Sequence, residues 1–221
     1  MSEDALEIVA AIPWFTAQPP ALRAALLQAG RLSRRSAGEW LHGEGDEETG
    51  VLAVVEGGLK LYSQAPGGRE VLFGLLPAGT VIGQSAAFGG GPRIVTAIAS
   101  SASVVFTLSD RALRQVAASQ PGLWEALSAL VYGQLRNATQ GLAEVLALKP
   151  RERMIARLLQ LAAVSGGAAG ISQADLAEMI GVTRKAVNGW LGALEGRGLV
   201  RVGYGRIAVL DRVGLERMLG S

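Results

Sequence analysis

The most specific pattern in the chain is found in residues 171–195, ISQADLAEMIGVTRKAVNGWLGALE. The pattern predicts two short amphipathic helices that meet at Gly181, because glycine adopts the left-handed backbone of a tight turn without the penalty of a Cβ atom. Ser172 and Thr183 each precede one helix, where a hydroxyl accepts a hydrogen bond from a free backbone N–H. The residues expected to face inward are Leu176, Ala177 and Ile180 on the first helix and Val187, Trp190, Leu191 and Leu194 on the second.

The second of these helices leaves Arg184, Lys185 and Asn188 facing outward near its N-terminal end. This arrangement is typical of a helix-turn-helix, which places its second helix in the major groove of DNA. Arginine can read guanine through O6 and N7, asparagine can read adenine through N6 and N7, and lysine can contact guanine or phosphate. A helical hairpin with a merely solvated face is the alternative, but two N-caps, a turn glycine and a basic face coincide here. The residues predicted to bind DNA are Ser172, Gln173, Thr183, Arg184, Lys185, Asn188 and Arg206.

The residues that follow, 198–210 (GLVRVGYGRIAVL), read as a strand, a glycine-rich turn and a second strand. This hairpin predicts a wing beside the two helices. Such a wing would bring Arg201, Tyr204 or Arg206 next to phosphate groups.

Basic residues are concentrated in the same part of the chain. Residues 149–221 contain 11 Lys and Arg against 6 Asp and Glu, whereas residues 1–148 contain 10 against 13, within a total net charge of +2. A basic C-terminal third indicates an anionic partner, and double-stranded DNA is the first candidate.

The chain has no cysteine and a single histidine, His42. Disulfides, thiolate metal sites, iron–sulfur clusters and cysteine nucleophiles are therefore excluded. One histidine cannot by itself build a histidine-rich metal site or a catalytic triad. Since no nucleophile–base pair or metal cluster stands out elsewhere, we expect no catalytic residue, no bound metal and no enzymatic activity.

One long uncharged run, residues 71–92, is long enough to cross a bilayer. It contains six glycines and two prolines, which would interrupt a helix, so the run indicates buried strands and turns. The N-terminus begins with acidic residues and lacks the basic region of a signal peptide. We therefore expect a cytoplasmic protein with no membrane partner.

The N-terminal half of the chain predicts strands. Short apolar runs separated by glycine indicate an all-β barrel or a double sheet, and residues 65–69 (APGGR) read as a hairpin turn. Short helices are expected before them at 4–12 and 19–30, the second opening with proline and closing at Gly30. The predicted strands are 39–42, 51–55, 58–62, 70–75, 80–82, 94–99 and 104–108.

The pattern becomes helical from about Asp110. A short helix ends before Pro121, and residues 123–148 follow with apolar side chains every three or four positions, close to the heptad spacing of a coiled coil. Two interpretations are open: a seam that pairs with a second copy, or one helix that lies on the β core. The seam residues would be Leu127, Val131, Leu135, Ala138, Leu142 and Val145.

Lys149 and Pro150 mark the end of this helix, because the residue before a proline is pushed away from helical geometry. A further helix at 151–164 and a glycine-rich loop at 165–170 lead to the helix-turn-helix. We therefore divide the chain into a β-roll domain with flanking helices (1–120), a long dimerisation helix (121–148) and a winged helix-turn-helix domain (149–221).

This order of domains resembles the Crp-Fnr superfamily of bacterial transcription regulators over nearly the whole chain. The likeness is most specific at 171–200, and residues 148–162 (LKPRERMIARLLQLA) resemble the hinge and first helix of the family's DNA domain. Residues 57–62 (GGLKLY) and 79–88 (GTVIGQSAAF) resemble a strand and the phosphate-cassette entrance of its β domain. The resemblance implies an α+β fold: a cyclic-nucleotide-binding-like β-barrel or jelly roll, a long dimerisation helix and a winged helix-turn-helix.

The resemblance also implies partners. It implies a homodimer, paired through 123–148, on a roughly palindromic double-stranded operator, with recognition helices in successive major grooves and RNA polymerase as a further partner. Where the best-known members carry Arg-Glu followed by a second arginine, this chain has Arg184-Lys185 and then Asn188-Gly189. We therefore expect an operator that differs from the family consensus.

The effector site of the family's cyclic-nucleotide-binding members is only partly matched. Those members carry Gly-Glu for the ribose, Arg-Ser or Arg-Thr for the cyclic phosphate, and a small polar pair for the base. Each lost polar contact costs about 1 to 3 kcal/mol, so we do not expect the usual cyclic AMP sensing. The corresponding positions are Gly83-Gln84, Arg93-Ile94 and Ala138-Thr139, and the candidate effector-binding residues are Gly83, Gln84, Ser85, Arg93, Ile94 and Thr139.

Two roles are open for Arg93: it binds an anionic effector group, or it pairs with an acceptor on the long helix or the backbone. A different anionic or apolar effector, or none, fits the resemblance, and no other cofactor is expected. The family's iron–sulfur sensors require several cysteines, and His42, expected at a surface turn, is a weak haem-ligand candidate. The alternative function is a small-molecule-binding signalling module whose winged helix mediates protein contacts.

Overall fold

A computed structural model describes residues 3–84, 86 and 89–219; for residues 3–5 and Gln84 it describes the backbone alone. The contacts divide the chain into two units. The first unit runs to Glu70 and resumes over Gly74–Asn137, and the second contains Val71–Phe73 and the chain from Ala138 onward. Within the described residues, no helix is both long and apolar enough to span a membrane.

The first unit begins with the helices α1 (Glu3–Ala11), α2 (Pro13–Thr16) and α3 (Pro20–Ala29). Pro13 and Pro20 each occupy the first turn of a helix. Proline suits this position because its fixed φ matches the helix and its missing N–H would have no partner there.

Strands then form two antiparallel sheets, as the glycine-punctuated pattern predicted. They are β1 (Arg31–Arg35), β2 (Trp40–His42), β3 (Gly50–Glu56), β4 (Gly58–Ala65), β5 (Arg69–Pro77), β6 (Val81–Gln84), β7 (Thr96–Ala99) and β8 (Ser103–Ser109). The sheet orders are β1-β8-β3-β6 and β2-β7-β4-β5. The two sheets remain separate, so the domain is a jelly-roll double sheet and not a closed barrel.

Strand β1 has no counterpart among the predicted strands. Its sequence, RLSRR, is mostly polar and lacks the apolar run by which the other strands are recognised. Because β1 is the edge of its sheet and, among the described strands, pairs with β8 alone, charged side chains are tolerated along it.

Two helices follow the sheets along the chain, α4 (Asp110–Ser119) and α5 (Leu123–Ala147). The first turns of α5 bury Leu123, Ala126 and Leu127 in the same core as Phe15 and Phe106. Leu127 was predicted to open the seam, but it is only 7% exposed and belongs to this core. The exposed apolar stripe of α5 therefore begins at Val131, because the preceding turns are covered by the β domain.

The remaining elements belong to the second unit. They are α6 (Pro150–Val164), β9 (Ala168–Ala169), α7 (Gln173–Ile180), α8 (Arg184–Gly196), β10 (Val200–Gly203), β11 (Arg206–Val209) and α9 (Arg212–Arg217). Helix α6 begins at Pro150, one residue before its predicted start, and the Lys149 N–H donates to the Glu152 carboxylate at 2.8 Å. Strand β9, which lies in the predicted glycine-rich loop, adds a third strand to the wing in the order β10-β11-β9.

Candidate nucleic-acid interface and effector region

The turn between α7 and α8 is fixed by the backbone. Gly181 has φ 71° and ψ 39°, the left-handed conformation that was predicted. Its N–H donates to the Glu178 carbonyl at 3.1 Å, and the Val182 N–H donates to the Ala177 carbonyl at 3.0 Å. These two bonds form a Schellman motif, which satisfies carbonyls at the end of α7 and sets the direction in which the chain leaves it.

Both predicted N-caps are present. The Ser172 hydroxyl accepts from the Asp175 N–H at 3.1 Å, and the Thr183 hydroxyl accepts from the Ala186 N–H at 3.3 Å. Gln173, the other predicted contact on the first helix, is the first residue of α7 and is half-buried.

Helix α8 packs inward through Val187, Leu191 and Leu194, which are fully buried. Trp190, predicted with them, is only half-buried because it lies at the border of the apolar face. Arg184, Lys185 and Asn188 are exposed on the first two turns of the helix. The N-terminal end of a helix carries a partial positive charge, and the first turn of α8 contains no acidic residue, so this surface favours an anion.

The wing is a two-residue hairpin. Strand β10 pairs with β11 in the register Gly203↔Arg206, which leaves Tyr204 and Gly205 as the turn. Gly205 has φ 62°, and Tyr204 is fully exposed at the tip. Arg201 and Arg206 are also exposed.

The wing is joined to the end of α8. The Glu195 carboxylate accepts from the Val202 N–H at 2.8 Å, and the Leu199 N–H donates to the Leu194 carbonyl at 3.0 Å. The helix α8 and the hairpin, which both carry exposed basic residues, are therefore directly connected by hydrogen bonds.

In the β domain, the backbone conformation at position 83 and the atoms around it require a glycine. It has φ 152°, and a Cβ atom there would lie 2.5 Å from the Gly50 carbonyl oxygen on β3. Its own carbonyl accepts from Gln134 Nε2 at 2.9 Å. Gln134 was not predicted as a site residue. The signal was available in the sequence, because Gln134 continues the inward face of α5 four residues after Leu130.

Arg93 is buried, with 8% of its surface exposed. Its Nε donates to the Glu48 carbonyl at 3.0 Å and its Nη1 to the Gly50 carbonyl at 2.9 Å. Burial lowers the pKa of the guanidinium, and the charges of Asp110 and Asp46 oppose that shift. Of the two roles left open for Arg93, the structure contains the pairing with backbone acceptors.

The segment around Arg93 is further tied to α4 through Thr49. The Thr49 hydroxyl donates to the Asp110 carboxylate and accepts from the Ala86 N–H at 2.9 Å. Sequence reasoning missed Thr49, because its partners lie 61 and 37 residues away along the chain.

A cavity of about 180 Å³ lies beside Arg93. Its lining includes the two arginines Arg35 and Arg93 and the two carboxylates Asp46 and Glu48. An anionic ligand entering here would meet as many negative as positive side chains, so the cavity does not concentrate positive charge as a phosphate site does.

His42 also lines this cavity. It was predicted at a surface turn, but it is the half-buried last residue of β2, because the strand extends to it and turns its ring toward the cavity. Burial, and secondarily the charge of Arg93, lowers its pKa to about 4. The ring is therefore neutral at pH 7.

The other candidate effector residues are placed as follows. Ile94 is 70% exposed, so its side chain points away from the core. Thr139 is exposed on α5 and belongs to the second unit. Ser85 and the side chain of Gln84 lie outside the described residues. In the part of the chain that is described, no group of three His, Asp or Glu side chains could hold a metal ion.

Comparisons with known proteins identify both domains. Residues 33–120 match the cyclic nucleotide-binding domain, and residues 152–218 match the Crp-like helix-turn-helix domain. Together with the fold, these matches define a two-domain regulator of transcription. The chain belongs to the Crp-Fnr superfamily, as the sequence resemblance predicted.

Relatives of similar length support this assignment. The CRP-like cAMP-activated global transcriptional regulator of Mycobacterium tuberculosis is 26% identical over 219 residues, which cover 96% of this chain and 98% of the relative. The nitrogen fixation regulation protein FixK of Bradyrhizobium diazoefficiens is 25% identical, over 87% of this chain and 83% of the relative. The solved structure of FixK2 from Bradyrhizobium japonicum has the same fold, with a TM-score of 0.75 at 22% identity, and the match covers 85% of this chain and 96% of that one.

The lowered pKa of His42 predicts a pH dependence of stability. The ring titrates near 6.5 in the unfolded chain and near 4 in the folded chain, so the unfolded chain binds more protons between these values. The free energy of unfolding should therefore fall as the pH is lowered from about 6.5 to about 4. After allowance for the partly exposed ring, we expect the loss to exceed that of His42→Gln by about 1 kcal/mol in urea titrations. Parallel pH profiles for the two proteins would contradict the assignment.

Proposed function

We propose that the chain acts as a homodimeric, sequence-specific DNA-binding regulator that reads a roughly palindromic operator with α8 and contacts RNA polymerase. The observation that carries the proposal is the exposed basic start of α8, held outward by the Gly181 turn and the buried face behind it. A helix held in this way offers its first turns to the major groove.

Base reading is assigned to Arg184, Lys185 and Asn188. Arg184 and Asn188 are four residues apart, so they share one face of α8 and can reach neighbouring bases. Arginine suits guanine and asparagine suits adenine, while Lys185 contacts guanine or phosphate. The wing residues Arg201, Tyr204 and Arg206 are assigned to the phosphate backbone, where contacts position the protein without reading sequence.

Dimerisation is assigned to α5. From Val131 onward the helix exposes apolar side chains at 49% to 63% of their surface, at intervals close to a heptad repeat: Val131, Leu135, Leu142 and Val145. A second copy of the same helix is the partner that fits, because a heptad stripe is complementary to itself and a two-fold dimer matches a palindromic operator.

The β domain is assigned to a small effector other than cyclic AMP. Gln84 has no charge to hold a ribose in the family's manner, and the side chain of Ile94 offers no donor to a phosphate. Arg93 is bonded to the Glu48 and Gly50 carbonyls, so binding a cyclic phosphate would require it to leave them. In these features the chain departs from the pattern expected of a cyclic AMP-activated regulator.

The DNA assignment is tested by selecting operators from random duplexes and measuring affinities against salt concentration. Arg184→Ala should cost about 1 to 3 kcal/mol on the selected operator and relax the preference at one base pair. Its control, Arg206→Ala, should weaken specific and random DNA alike and reduce the salt slope by about one unit. If both variants lose affinity equally on specific and on random DNA, the base-reading assignment is removed. Failure to select any operator would favour protein contacts by the winged helix.

The dimer assignment is tested at Leu142. Leu142→Glu places a charge in the stripe of both copies. It should weaken dimerisation about 100-fold or more, since it replaces the two leucines, one from each copy, that the dimer would bury. Ala143→Glu adds the same charge at the neighbouring exposed position outside the stripe and should leave the dimer intact. Sedimentation velocity measures both variants, and a Leu142→Glu protein that remains fully dimeric would contradict the seam.

The effector assignment is tested with cyclic AMP itself. Operator affinity should change by less than about twofold at about 1 mM cyclic AMP, a coupling free energy under about 0.4 kcal/mol. Titration calorimetry should show no saturable heat beyond that of 5′-AMP. A tenfold nucleotide-specific gain in operator affinity would show that the site still senses cyclic AMP.

A further inference from the structure

We infer that Arg153 is a positioning residue: it joins the C-terminal ends of α5 and α7 and thereby sets the direction of the recognition helix α8 relative to α5. This inference rests on the proposed function, since it concerns how two recognition helices are spaced in a dimer. The residues of the contact all belong to the second unit.

The end of α5 leaves a carbonyl that needs a donor. The last four carbonyls of a helix have no partner within the helix. The Glu144 carbonyl accepts from the Leu148 N–H at 3.0 Å, but the next donor along the chain, at Lys149, is turned away by extended backbone (φ −66°, ψ 157°) and bonds to Glu152. The Val145 carbonyl instead accepts from Arg153 Nη1 at 3.3 Å.

The end of α7 has the same need. Its Schellman motif satisfies the Ala177 and Glu178 carbonyls. The Ile180 carbonyl, immediately before Gly181, accepts from Arg153 Nη2 at 3.3 Å. One guanidinium therefore binds the last turns of two helices, and both of those ends carry partial negative charge.

Arginine is suited to this contact and lysine is not. The guanidinium is a rigid planar fork with donors on separate nitrogens, whereas a lysine ammonium is a compact point charge on a flexible stem. A second contact lies one turn further along α6, where Arg157 Nη2 is 3.8 Å from the Glu144 carboxylate, and both side chains are partly buried. Arg157 Nη1 also donates to Gln160 at 2.6 Å, which limits its freedom to move.

The functional consequence follows from the order of the elements. Helix α7 leads through Gly181 directly into α8, so a contact that fixes the end of α7 against α5 also fixes the direction of α8. When α5 pairs with a second copy, that direction determines the distance and rotation between the two recognition helices. Arg153 should therefore control which half-site spacing the dimer accepts.

The test measures spacing selectivity with the full-length protein. Wild type, Arg153→Gln and Arg153→Lys are bound to duplexes that carry two copies of the selected half-site, separated by lengths that vary one base pair at a time. Each added base pair moves the second site by about 3.4 Å and rotates it by about one tenth of a turn. Sedimentation, thermal unfolding and binding to a single half-site are measured in parallel.

We expect Arg153→Gln and Arg153→Lys to remain folded and dimeric and to keep the half-site preference. The factor by which affinity falls when the spacing changes by one base pair should be at least about fivefold smaller in these variants than in wild type. The matched control is Arg151→Gln, which removes the same charge from the same turn of α6. Arg151 is half-buried and, among the described residues, bonds to neither the Val145 carbonyl nor the Ile180 carbonyl. It should keep the spacing selectivity of wild type.

Two outcomes would overturn the inference. One is unchanged spacing selectivity in Arg153→Gln while wild type selects a spaced operator. The other is a uniform loss on all spacings and on the single half-site together with lower thermal stability, which indicates a merely structural role. Wild type that selects no paired operator would instead count against the proposed function.

Hydrogen exchange on the free proteins tests the contact independently of DNA. Arg153→Gln should speed the exchange of the Leu148 and Val182 amides together, because both lie at the helix ends that Arg153 joins. Unchanged exchange at both amides would overturn the contact itself.

Discussion

The left-handed backbone at Gly181 decides which residues of α8 are exposed. Any residue with a Cβ atom is disfavoured at this φ and ψ, by about 1 kcal/mol or more. The turn allows Thr183 to cap α8 and Val187 to enter the core, and these two positions decide which side of α8 faces outward. The exposure of Arg184 and Asn188 is therefore a consequence of backbone geometry three and seven residues earlier, at Gly181.

In the β domain, the arginine of a familiar residue order is bonded to the backbone. Glycine, a polar residue and a later arginine follow the order of a nucleotide cassette, yet Arg93 supports the backbone between β2 and β3. Its charge is balanced by nearby carboxylates, and Thr49 ties the same region to α4. The order of these residues along the chain therefore does not show which contacts the arginine makes in the folded domain.

Local signals and distant partners separate what the sequence could predict from what it could not. The caps at Ser172 and Thr183 depend on neighbours within three residues, so the pattern predicted them correctly. Arg93 pairs with carbonyls 43 and 45 residues away, which no local pattern can indicate. For Leu127, periodicity identified an apolar face but could not say whether the β domain or a second helix covers it.

The bond between Glu195 and Val202 has an evolutionary consequence. It joins the wing to α8 through a backbone N–H and the far end of the helix, away from the exposed start of α8 and from the tip residue Tyr204. Changes at Arg184, Lys185 or Asn188 alter exposed side chains and leave the buried face of α8 untouched. Under the proposed function, a few surface substitutions would therefore give a lineage a new set of target promoters while the buried framework of the domain stays the same.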